Sequence, residues 1–354
     1  MAEQFRFGII GCGVIGPVHA AAITSLPDAQ LVAVADTFFE SAQKLAAAYG
    51  ATPYNDSGEM LAREQLDVVT VCTPSGMHGQ DAIRAMRSGR HVIVEKPMEI
   101  NRAALDEMLR VQQEMGVKLA VISQHRFDPA AQQVYALVQE KAFGRLVLGN
   151  ALIPWWRSQG YYDSGAWRGT WQLDGGGVLM NQSIHSIDVL QWLMGPVRSV
   201  YACTDTLAHR METEDVAVAV LRFANGALGS IAAATGAYPG VSTRIEIFGD
   251  QGSAIIENDE LAYLHLARDD SAEVGAYGIN AKIERAERGE KTAGAARNPS
   301  GISIRGHAMQ IADMLRAIRE NGAPLVDGYA GRRTVEIILA IYESARTHQE
   351  VLLS

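Results

Sequence analysis

The sequence predicts an α/β protein in two parts: a mostly parallel sheet with crossover helices, then a large open sheet that is mostly antiparallel. Up to about residue 124, short β-branched runs alternate with helical patterns, which is typical of parallel strands joined by helices. Beyond that point, β-type segments follow one another across Asn-Gly or Asp-Gln-Gly turns, as in antiparallel sheets. A length of 354 residues is sufficient for both parts.

Composition favours an ordinary globular enzyme. Apolar residues make up 48% of the chain and charged residues 20%. The net charge of −9, without a basic run, argues against nucleic acid or an anionic membrane surface as a partner. No stretch approaches the roughly 18 apolar residues of a membrane span, and no signal-peptide pattern is present. Cys12, Cys72 and Cys203 are scattered, so we expect a reducing, cytoplasmic setting.

The first predicted strand, FRFGII, runs directly into a glycine-rich turn, GCGVIG, and an alanine-rich helix. In the pattern G-x-G-x-x-G, the first glycine permits a tight turn and the second lets a pyrophosphate approach the backbone. The third lets the helix pack on the strand, and the helix N-terminus receives the phosphates. The residues expected to contact a cofactor here are Gly11, Gly13, Val14, Ile15 and Gly16.

The second predicted strand, residues 29–36, ends on an acid. Asp36 stands 20 residues after Gly16, where a carboxylate accepts hydrogen bonds from ribose hydroxyls and repels a 2′-phosphate. No arginine follows in DTFFE. Strand, glycine turn, helix and acid together predict a Rossmann domain over residues 1–124 that binds NAD, with NADP less favoured.

Two later strands end on polar loops. CTPSGMHG follows one of them, and EKP ends the other. Because ligands bind at the carboxyl ends of strands in an open α/β sheet, we expect both loops beside the nicotinamide end of the cofactor. The predicted cofactor contacts in these loops are Thr73, Pro74, His78, Glu95, Lys96 and Pro97.

Lys96 allows two interpretations from position alone. A lysine at this edge of the sheet can hydrogen-bond a substrate hydroxyl and help to lower its pKa. Alternatively, it is a surface lysine at a strand end that forms an ion pair with Glu95. A cis Lys96–Pro97 peptide is also plausible, because X-Pro bonds adopt the cis form far more readily than other peptide bonds.

An aromatic stretch, PWWRSQGYYDSGAWRGTWQLDGGG, contains four of the five tryptophans. Sugar C–H faces stack on aromatic rings and arginines donate to hydroxyls, so the stretch predicts the wall of a carbohydrate site. Packing of a loop or a subunit contact is the alternative, since aromatic residues dominate cores and interfaces too. The candidates are Arg157 and Trp167 for substrate and Arg168 for substrate or cofactor.

The segment GGGVLMNQSIHSIDVLQWLMG predicts three glycines that allow close backbone approach and then a helix. Spacings of four, three and four place Asn181, His185, Asp188 and Trp192 along one helix face. His185 alone reads as a core histidine, but its polar neighbours favour a functional role. A metal pair of His185 and Asp188 would lack further ligands, so no metal is expected.

The remainder predicts a second domain over residues 125–354. Six alternating segments form its sheet, residues 268–303 are polar and glycine-dotted and read as a flap or insertion, and two helices close the chain. The last helix, about 331–348, is expected to pack back on the first domain.

These motifs resemble the glucose-fructose oxidoreductase/inositol dehydrogenase/MocA family. The resemblance rests on GCGVIG, Asp36, CTPSGMH, EKP, GGGVLMNQSIH with Asp188, and the closing AIYESAR, and it spans essentially the whole chain. It implies a catalytic lysine-plus-histidine set of Lys96 and His185, and a homodimer or homotetramer built by sheet packing. Inositol dehydrogenase-like members carry an aspartate where this chain has Asn181. The LMNQ-IH form is similar to a branch with nucleotide-sugar and glycoside oxidoreductases.

The expected reaction is NAD-dependent oxidation of a secondary ring hydroxyl of a sugar, glycoside, nucleotide sugar or inositol. Lys96 hydrogen-bonds the hydroxyl oxygen, His185 takes the proton, and Asn181 and Asp188 orient His185. Three other functions stay open: an aldose or carbonyl reductase, a cofactor-bound regulator without catalysis, and a dehydrogenase of unsaturated or aromatic diols. Further candidates for contacting the substrate are Arg126, Arg157, Trp167 and His307.

Overall fold

The computed structural model describes residues 4–267 and 304–353, so the predicted flap over 268–303 lies outside the described residues. A six-stranded sheet occupies the first part, and all of its strand pairs are parallel. The parallel pairing confirms the predicted Rossmann domain, and the strand order is β3-β2-β1-β4-β5-β6. The strands are β1 Phe5–Ile10, β2 Ala29–Ala35, β3 Thr52–Tyr54, β4 Val68–Val71, β5 His91–Val94 and β6 Leu119–Val121.

Helices cover both faces of this sheet, so its central strands are buried and rich in valine and isoleucine, as in VVTV of β4. Polar side chains begin two of the helices: Asp56 and Asn101 each accept a hydrogen bond from the backbone three residues on. Gly50 and Gly116 end two of them in the left-handed conformation. The helices are α1 Gly16–Thr24, α2 Phe39–Tyr49, α3 Ser57–Arg63, α4 His78–Arg87 and α5 Arg102–Met115.

An eight-stranded sheet forms the second part, in the order β13-β12-β11-β7-β10-β9-β8-β14. Only the central pair, β7 with β10, is parallel among these, which confirms the mostly antiparallel prediction. The strands are β7 Leu146–Pro154, β8 Val197–Asp205, β9 Val216–Phe223, β10 Leu228–Ala234, β11 Arg244–Gly249, β12 Gly252–Glu257, β13 Glu260–Leu266 and β14 Val351–Leu352.

In the described part of the chain after residue 124, the α-helices are α6 Pro129–Gln139, α7 Gln159–Asp163, α8 Ile184–Met194, α9 Ile304–Arg319 and α10 Gly328–Thr347. A π-helical turn, Val178–Ser183, leads into α8. One face of the sheet packs on α8 and α10. Met194 of α8 lies against Gly149 of β7. Ser344 Oγ of α10 accepts a hydrogen bond of 3.0 Å from Ala202 N of β8.

The last two long helices also pack on the first sheet. Met314 and Leu315 of α9 belong to the same buried cluster as Phe7 of β1. Before α10, Val326 O accepts a hydrogen bond of 3.0 Å from Val121 N at the end of β6. α10 therefore contacts both sheets, and the division at residue 124 stays a prediction. Within the described ranges, no helix has the length and apolar character needed to cross a membrane.

Candidate active site

A cleft of about 1090 Å³ lies at the carboxyl ends of the parallel strands and extends to the second sheet. Side chains and turns from both sheets therefore border one continuous space. Most of the residues predicted as site residues line it. They are Gly11, Gly13, Val14, Ile15, Asp36, Thr73, Pro74, Glu95, Lys96, Arg157, Trp167, Arg168, Asn181, His185 and His307.

The three glycines of the first turn play different parts. Gly11 has a φ of +97°, and a Cβ there would lie 2.5 Å from the Cys72 carbonyl carbon. A Cβ on Gly16 would lie 2.6 Å from Gly11 O, so Gly16 allows close packing but does not line the cleft. Gly13 has no atom within 4 Å of its Cβ position, which leaves open space at the N-terminus of α1. This cradle fits the pyrophosphate of a dinucleotide.

Asp36 follows β2 and lies at the same edge. Its Oδ2 accepts a hydrogen bond of 2.7 Å from Cys12 N in the glycine turn, and its Oδ1 accepts one of 2.8 Å from Phe38 N. The carboxylate is thereby held against the turn while it still borders the cleft. This position fits recognition of ribose hydroxyls.

His78 and Pro97 differ from the prediction, because neither lines the cleft. The His78 ring is 1% exposed and lies between two backbone carbonyls, Pro97 O and Thr73 O, each 2.7 Å from a ring nitrogen. It therefore ties the loop after β4 to the loop after β5. Thr73 and Pro74 remain as the predicted residues of the first loop that border the cleft.

Lys96 is partly buried, and its peptide bond to Pro97 is cis. The ammonium donates a hydrogen bond of 3.1 Å to the main-chain oxygen of Asn181, and no carboxylate forms a salt bridge with it among the described residues. A surface ion pair with Glu95 is therefore not what the structure contains. Burial lowers the pKa of Lys96, and Glu95 and Asp174 oppose this effect.

Glu95 lies behind Lys96 in a buried cluster with two histidines. Its Oε1 is 2.9 Å from His19 Nε2 and 3.3 Å from His307 Nε2. Burial raises the pKa of Glu95, but the hydrogen bonds from the two histidines outweigh burial, so the pKa lies well below its ordinary value. Sequence reasoning missed His19, whose position on a helix face carries no signal of this contact.

His185 lies at the start of α8, half-buried, and faces the cleft near Lys96. Burial, the charge of His125 and the charge of Lys96 hold the pKa of His185 well below its ordinary value. The ring is therefore neutral and able to accept a proton. Within residues 4–267 and 304–353, neither ring nitrogen has a hydrogen-bond partner.

Asp188 does not orient His185, contrary to the prediction. Its carboxylate accepts hydrogen bonds from Arg126 at 2.7 Å and 2.6 Å, from Thr334 at 2.7 Å and from Ser123. Arg126 is 3% exposed, is held by this ion pair and does not line the cleft, so the structure places it away from substrate. Both residues are inward side chains that join α8 to the segment after β6.

Asn181 is the third predicted catalytic residue, and it lies in the π-helical turn rather than on the face of α8. The wider turn breaks the assumed helical spacing to His185. Its side-chain nitrogen donates a hydrogen bond of 2.7 Å to Asp174 Oδ1. Asp174 also accepts a hydrogen bond from Gly169 N, and burial raises its pKa to about 6. Sequence reasoning missed Asp174, although an acid directly before three glycines was a visible signal.

The aromatic stretch divides between the cleft and other contacts. Arg168 stacks on Tyr161 and Trp167, with its guanidinium carbon 4.4 Å and 4.5 Å from the ring centroids. Arg157 is buried and donates a hydrogen bond of 3.0 Å to Gln182 Oε1. Trp171 does not line the cleft; its indole donates to Glu212 O at 3.0 Å. Part of the stretch therefore borders the cleft, and its role as the wall of a carbohydrate site stays a prediction.

A second cluster that sequence reasoning missed lies on the other side of His185. His125 follows β6, and its ring centroid is 5.0 Å from that of His185, at an interplanar angle of 67°. His125 Nδ1 is 2.8 Å from Asp128 Oδ2 and 3.1 Å from Asp259 Oδ1. All three residues line the cleft. Asp259 lies in the turn between β12 and β13, far along the chain, so no local pattern relates it to His125.

Family comparisons agree with this architecture. Residues 5–123 match the family described as "Oxidoreductase family, NAD-binding Rossmann fold", and residues 131–255 match the "GFO/IDH/MocA C-terminal domain". An inositol 2-dehydrogenase of Rhizobium meliloti (strain 1021) is 30% identical over 75% of this chain and 79% of that protein.

Solved structures of dehydrogenases are similar to this chain over nearly its whole length. The WlbA dehydrogenase from Bordetella pertussis, in complex with NADH and UDP-GlcNAcA, is 34% identical, with a TM-score of 0.85 and coverage of 99% of each chain. A levoglucosan dehydrogenase in complex with NADH has a TM-score of 0.85 at 23% identity, and shares the fold.

Proposed function

The chain belongs to the GFO/IDH/MocA family of NAD-binding oxidoreductases, and we propose that it oxidises a secondary ring hydroxyl of a sugar linked to a nucleotide or another anionic group. The family makes it an NAD-dependent dehydrogenase that acts on CH–OH groups. The observation that carries the proposal is that Lys96 and His185 border the same cleft as the glycine turn and Asp36.

The glycine turn and Asp36 would hold the cofactor, with open space for the phosphates at Gly13, and Thr73, Pro74 and Glu95 would border its nicotinamide end. NAD supplies the acceptor for the hydride when it is bound. The chain holds the substrate, positions the hydroxyl and moves its proton.

Lys96 and His185 divide the work on the hydroxyl. The Lys96 ammonium, already fixed by Asn181 O, donates a hydrogen bond to the hydroxyl oxygen and stabilises the negative charge that develops there. His185 accepts the proton, because its neutral ring keeps a lone pair available. Asp174 holds the Asn181 side chain, and thereby the carbonyl that receives Lys96.

The substrate class follows from the far wall of the cleft. Arg157 and Arg168 border it beside Tyr161 and Trp167, so this end combines positive charge with ring faces. A phosphate or carboxylate suits the guanidinium groups, and a sugar or base suits the rings. The similarity to WlbA, whose complex contains UDP-GlcNAcA, supports a nucleotide sugar over free inositol. Catalysis as an aldose reductase would use the same residues in the opposite direction.

The decisive test is the appearance of reduced-nicotinamide absorbance with NAD or NADP across nucleotide sugars, glycosides, free sugars and inositols. We expect turnover with an anionic nucleotide sugar. Lys96→Met and His185→Ala should each lose about 10²- to 10⁴-fold in kcat, because each removes a group that acts on the reacting proton or oxygen. Lys44→Met, on the exposed surface of α2, is the matched control and should retain full turnover.

Titration with NAD, followed by protein fluorescence, separates loss of chemistry from loss of cofactor. Both variants should still be saturated by NAD, so that the loss lies in turnover. Full turnover in Lys96→Met would contradict the mechanism. Bound cofactor with no turnover on any substrate class would instead support a non-catalytic regulator.

We also propose that the protein is a homo-oligomer that packs through the outer face of the second sheet. This face carries exposed apolar side chains on adjacent strands: Leu148, Leu152, Tyr201, Val218, Val220 and Leu228. Cross-strand register puts Val218 opposite Cys203 and Ala232, and Val220 opposite Tyr201 and Ser230, so these side chains form one patch. The three free cysteines support a reducing, cytoplasmic location.

A further inference from the structure

His185 is an unusual base, because no described residue hydrogen-bonds its ring. Catalytic bases are generally oriented by a third group. The two residues expected to do this are otherwise engaged: Asn181 with Asp174, and Asp188 with Arg126. The contact that remains is the ring of His125, edge-on at 5.0 Å between centroids.

His125 is fixed from two sides at one atom. Its Nδ1 lies within hydrogen-bond distance of Asp128 Oδ2, at the start of α6, and of Asp259 Oδ1, in the turn after β12. Ionised carboxylates only accept hydrogen bonds, so Nδ1 must carry a proton that both acids share. Burial lowers the pKa of His125, but Asp259 and Asp128 outweigh burial and raise it to about 10. The ring is therefore an imidazolium at neutral pH.

Other charged groups also face His185. Lys96 from the loop after β5 and His307 from α9 act in the same direction as His125, and Glu95 acts against them. After burial, His125 exerts the largest effect on the pKa of His185, ahead of Lys96. In the proposed mechanism Lys96 donates to the substrate oxygen. His125 is therefore the cation with the largest remaining effect on the pKa of His185.

We propose that His125 is a positioning residue of this site: held by Asp128 and Asp259, it orients the His185 ring and keeps that ring unprotonated. The proposal rests on the proposed role of His185 as proton acceptor. A permanent positive charge on His125 makes His185 a weaker base, but it keeps the His185 ring unprotonated and so able to accept the proton of the hydroxyl. The same charge favours release of that proton after each turnover. Because Asp259 lies in the β12–β13 turn, its contact with His125 links the second sheet to the proton acceptor of the site.

The test measures the titration of His185 directly. Histidine ring resonances are recorded by NMR against pH in the NAD-saturated protein, with His185 assigned by its loss in His185→Gln. In His125→Gln, the pKa of His185 should rise by roughly one pH unit, because a unit charge about 5 Å away is removed. In His125→Lys, which retains the charge, the rise should be much smaller.

The pH profile of kcat/KM provides the second readout. Its acid limb should move to higher pH in His125→Gln by the same amount as the NMR titration. Asp259→Asn, at an exposed turn, removes a negative charge and leaves His125 paired with Asp128, so it should shift both readouts to lower pH, and it serves if the His125 variants fail to fold.

Three results would overturn the proposal. The first is an unchanged His185 titration in His125→Gln. The second is an equal shift in His125→Gln and His125→Lys, which would indicate loss of packing rather than of charge. The third is one equivalent of a divalent metal retained by the purified protein and lost in Asp259→Asn, since the same three atoms lie close enough together to hold an ion. A shift of His185 without turnover of any substrate would support the role of His125 and count against the proposed function instead.

Discussion

At the scale of single residues, Asp36 has a structural task as well as a task in recognition. It accepts hydrogen bonds from Cys12 N and Phe38 N, so its carboxylate fixes the glycine turn to the end of β2. An amide in its place retains one acceptor oxygen but loses the charge that repels a 2′-phosphate. The amide also loses one of the two backbone contacts of the turn, so the ratio of the two cofactors, rather than the affinity for either, reports the lost charge.

We predict that Asp36→Asn decreases the preference for NAD over NADP by tenfold or more, measured as the ratio of kcat/KM for the two cofactors. The reason is that a repulsive contact with the 2′-phosphate disappears, whereas the lost backbone contact of the turn affects both cofactors alike. Asp56→Asn, nearby on the rim of the cleft, is a suitable control and should leave the ratio unchanged. An unaltered ratio in Asp36→Asn would mean that other residues exclude NADP.

The sequence predicts the positions of single residues correctly where a strand end determines them, while their roles stay predictions. Lys96 and Asp36 follow buried strands directly, so their place at the edge of the sheet required no knowledge of distant contacts. Helical spacing predicts Asp188 beside His185, and Arg126 is a predicted substrate contact, yet the two residues neutralise each other in the interior. Which polar residue meets which depends on long-range packing, and a single sequence does not carry that information.

At the scale of elements, the segment before α8 explains another difference. A uniform helix from the glycine run through Trp192 would stack Asn181 over His185. The π-helical turn Val178–Ser183 changes the angle per residue, so Asn181 points to Asp174 instead. Such turns leave no periodic pattern in the sequence. In contrast, the alternation of buried and exposed residues along β9 and the glycine turn before α1 can be recognised from the sequence.

The glycine turn yields a second prediction, in which one of two neighbouring substitutions weakens cofactor binding and the other destabilises the fold. Gly13→Ala should weaken NAD binding about tenfold or more, measured by titration, and leave the melting temperature of the cofactor-free protein unchanged. Its Cβ meets no protein atom but enters the space for the pyrophosphate.

Gly16→Ala is the matched partner, and it should destabilise the fold by about 1–3 kcal/mol, seen as a lower melting temperature without cofactor. Its Cβ would lie 2.6 Å from Gly11 O, a backbone atom that cannot move independently. A lower melting temperature in Gly13→Ala would show that this position also serves the fold.

At the scale of the whole molecule, the two sheets place different parts of the chemistry. The first sheet supplies the cofactor cradle and Lys96, and the second sheet supplies the wall of the cleft and Asp259. His185 lies on α8, between them. The order of elements could be predicted because it is local, but the way α9 and α10 return to the first sheet could be anticipated only in outline, because apolar helix faces do not specify their partners.

The outer face of the second sheet provides the last prediction. Val218 and Val220 are 54% and 55% exposed at the centre of the apolar patch, so charges there would lie unpaired in an interface between two copies. Val218→Glu combined with Val220→Glu should convert the oligomer to monomer in light scattering coupled to size exclusion. Met115→Glu, an exposed apolar site on α5 of the first domain, is the control and should leave the oligomer intact. A protein that is monomeric before any substitution would contradict the proposal, since the patch would then be exposed in solution without a partner.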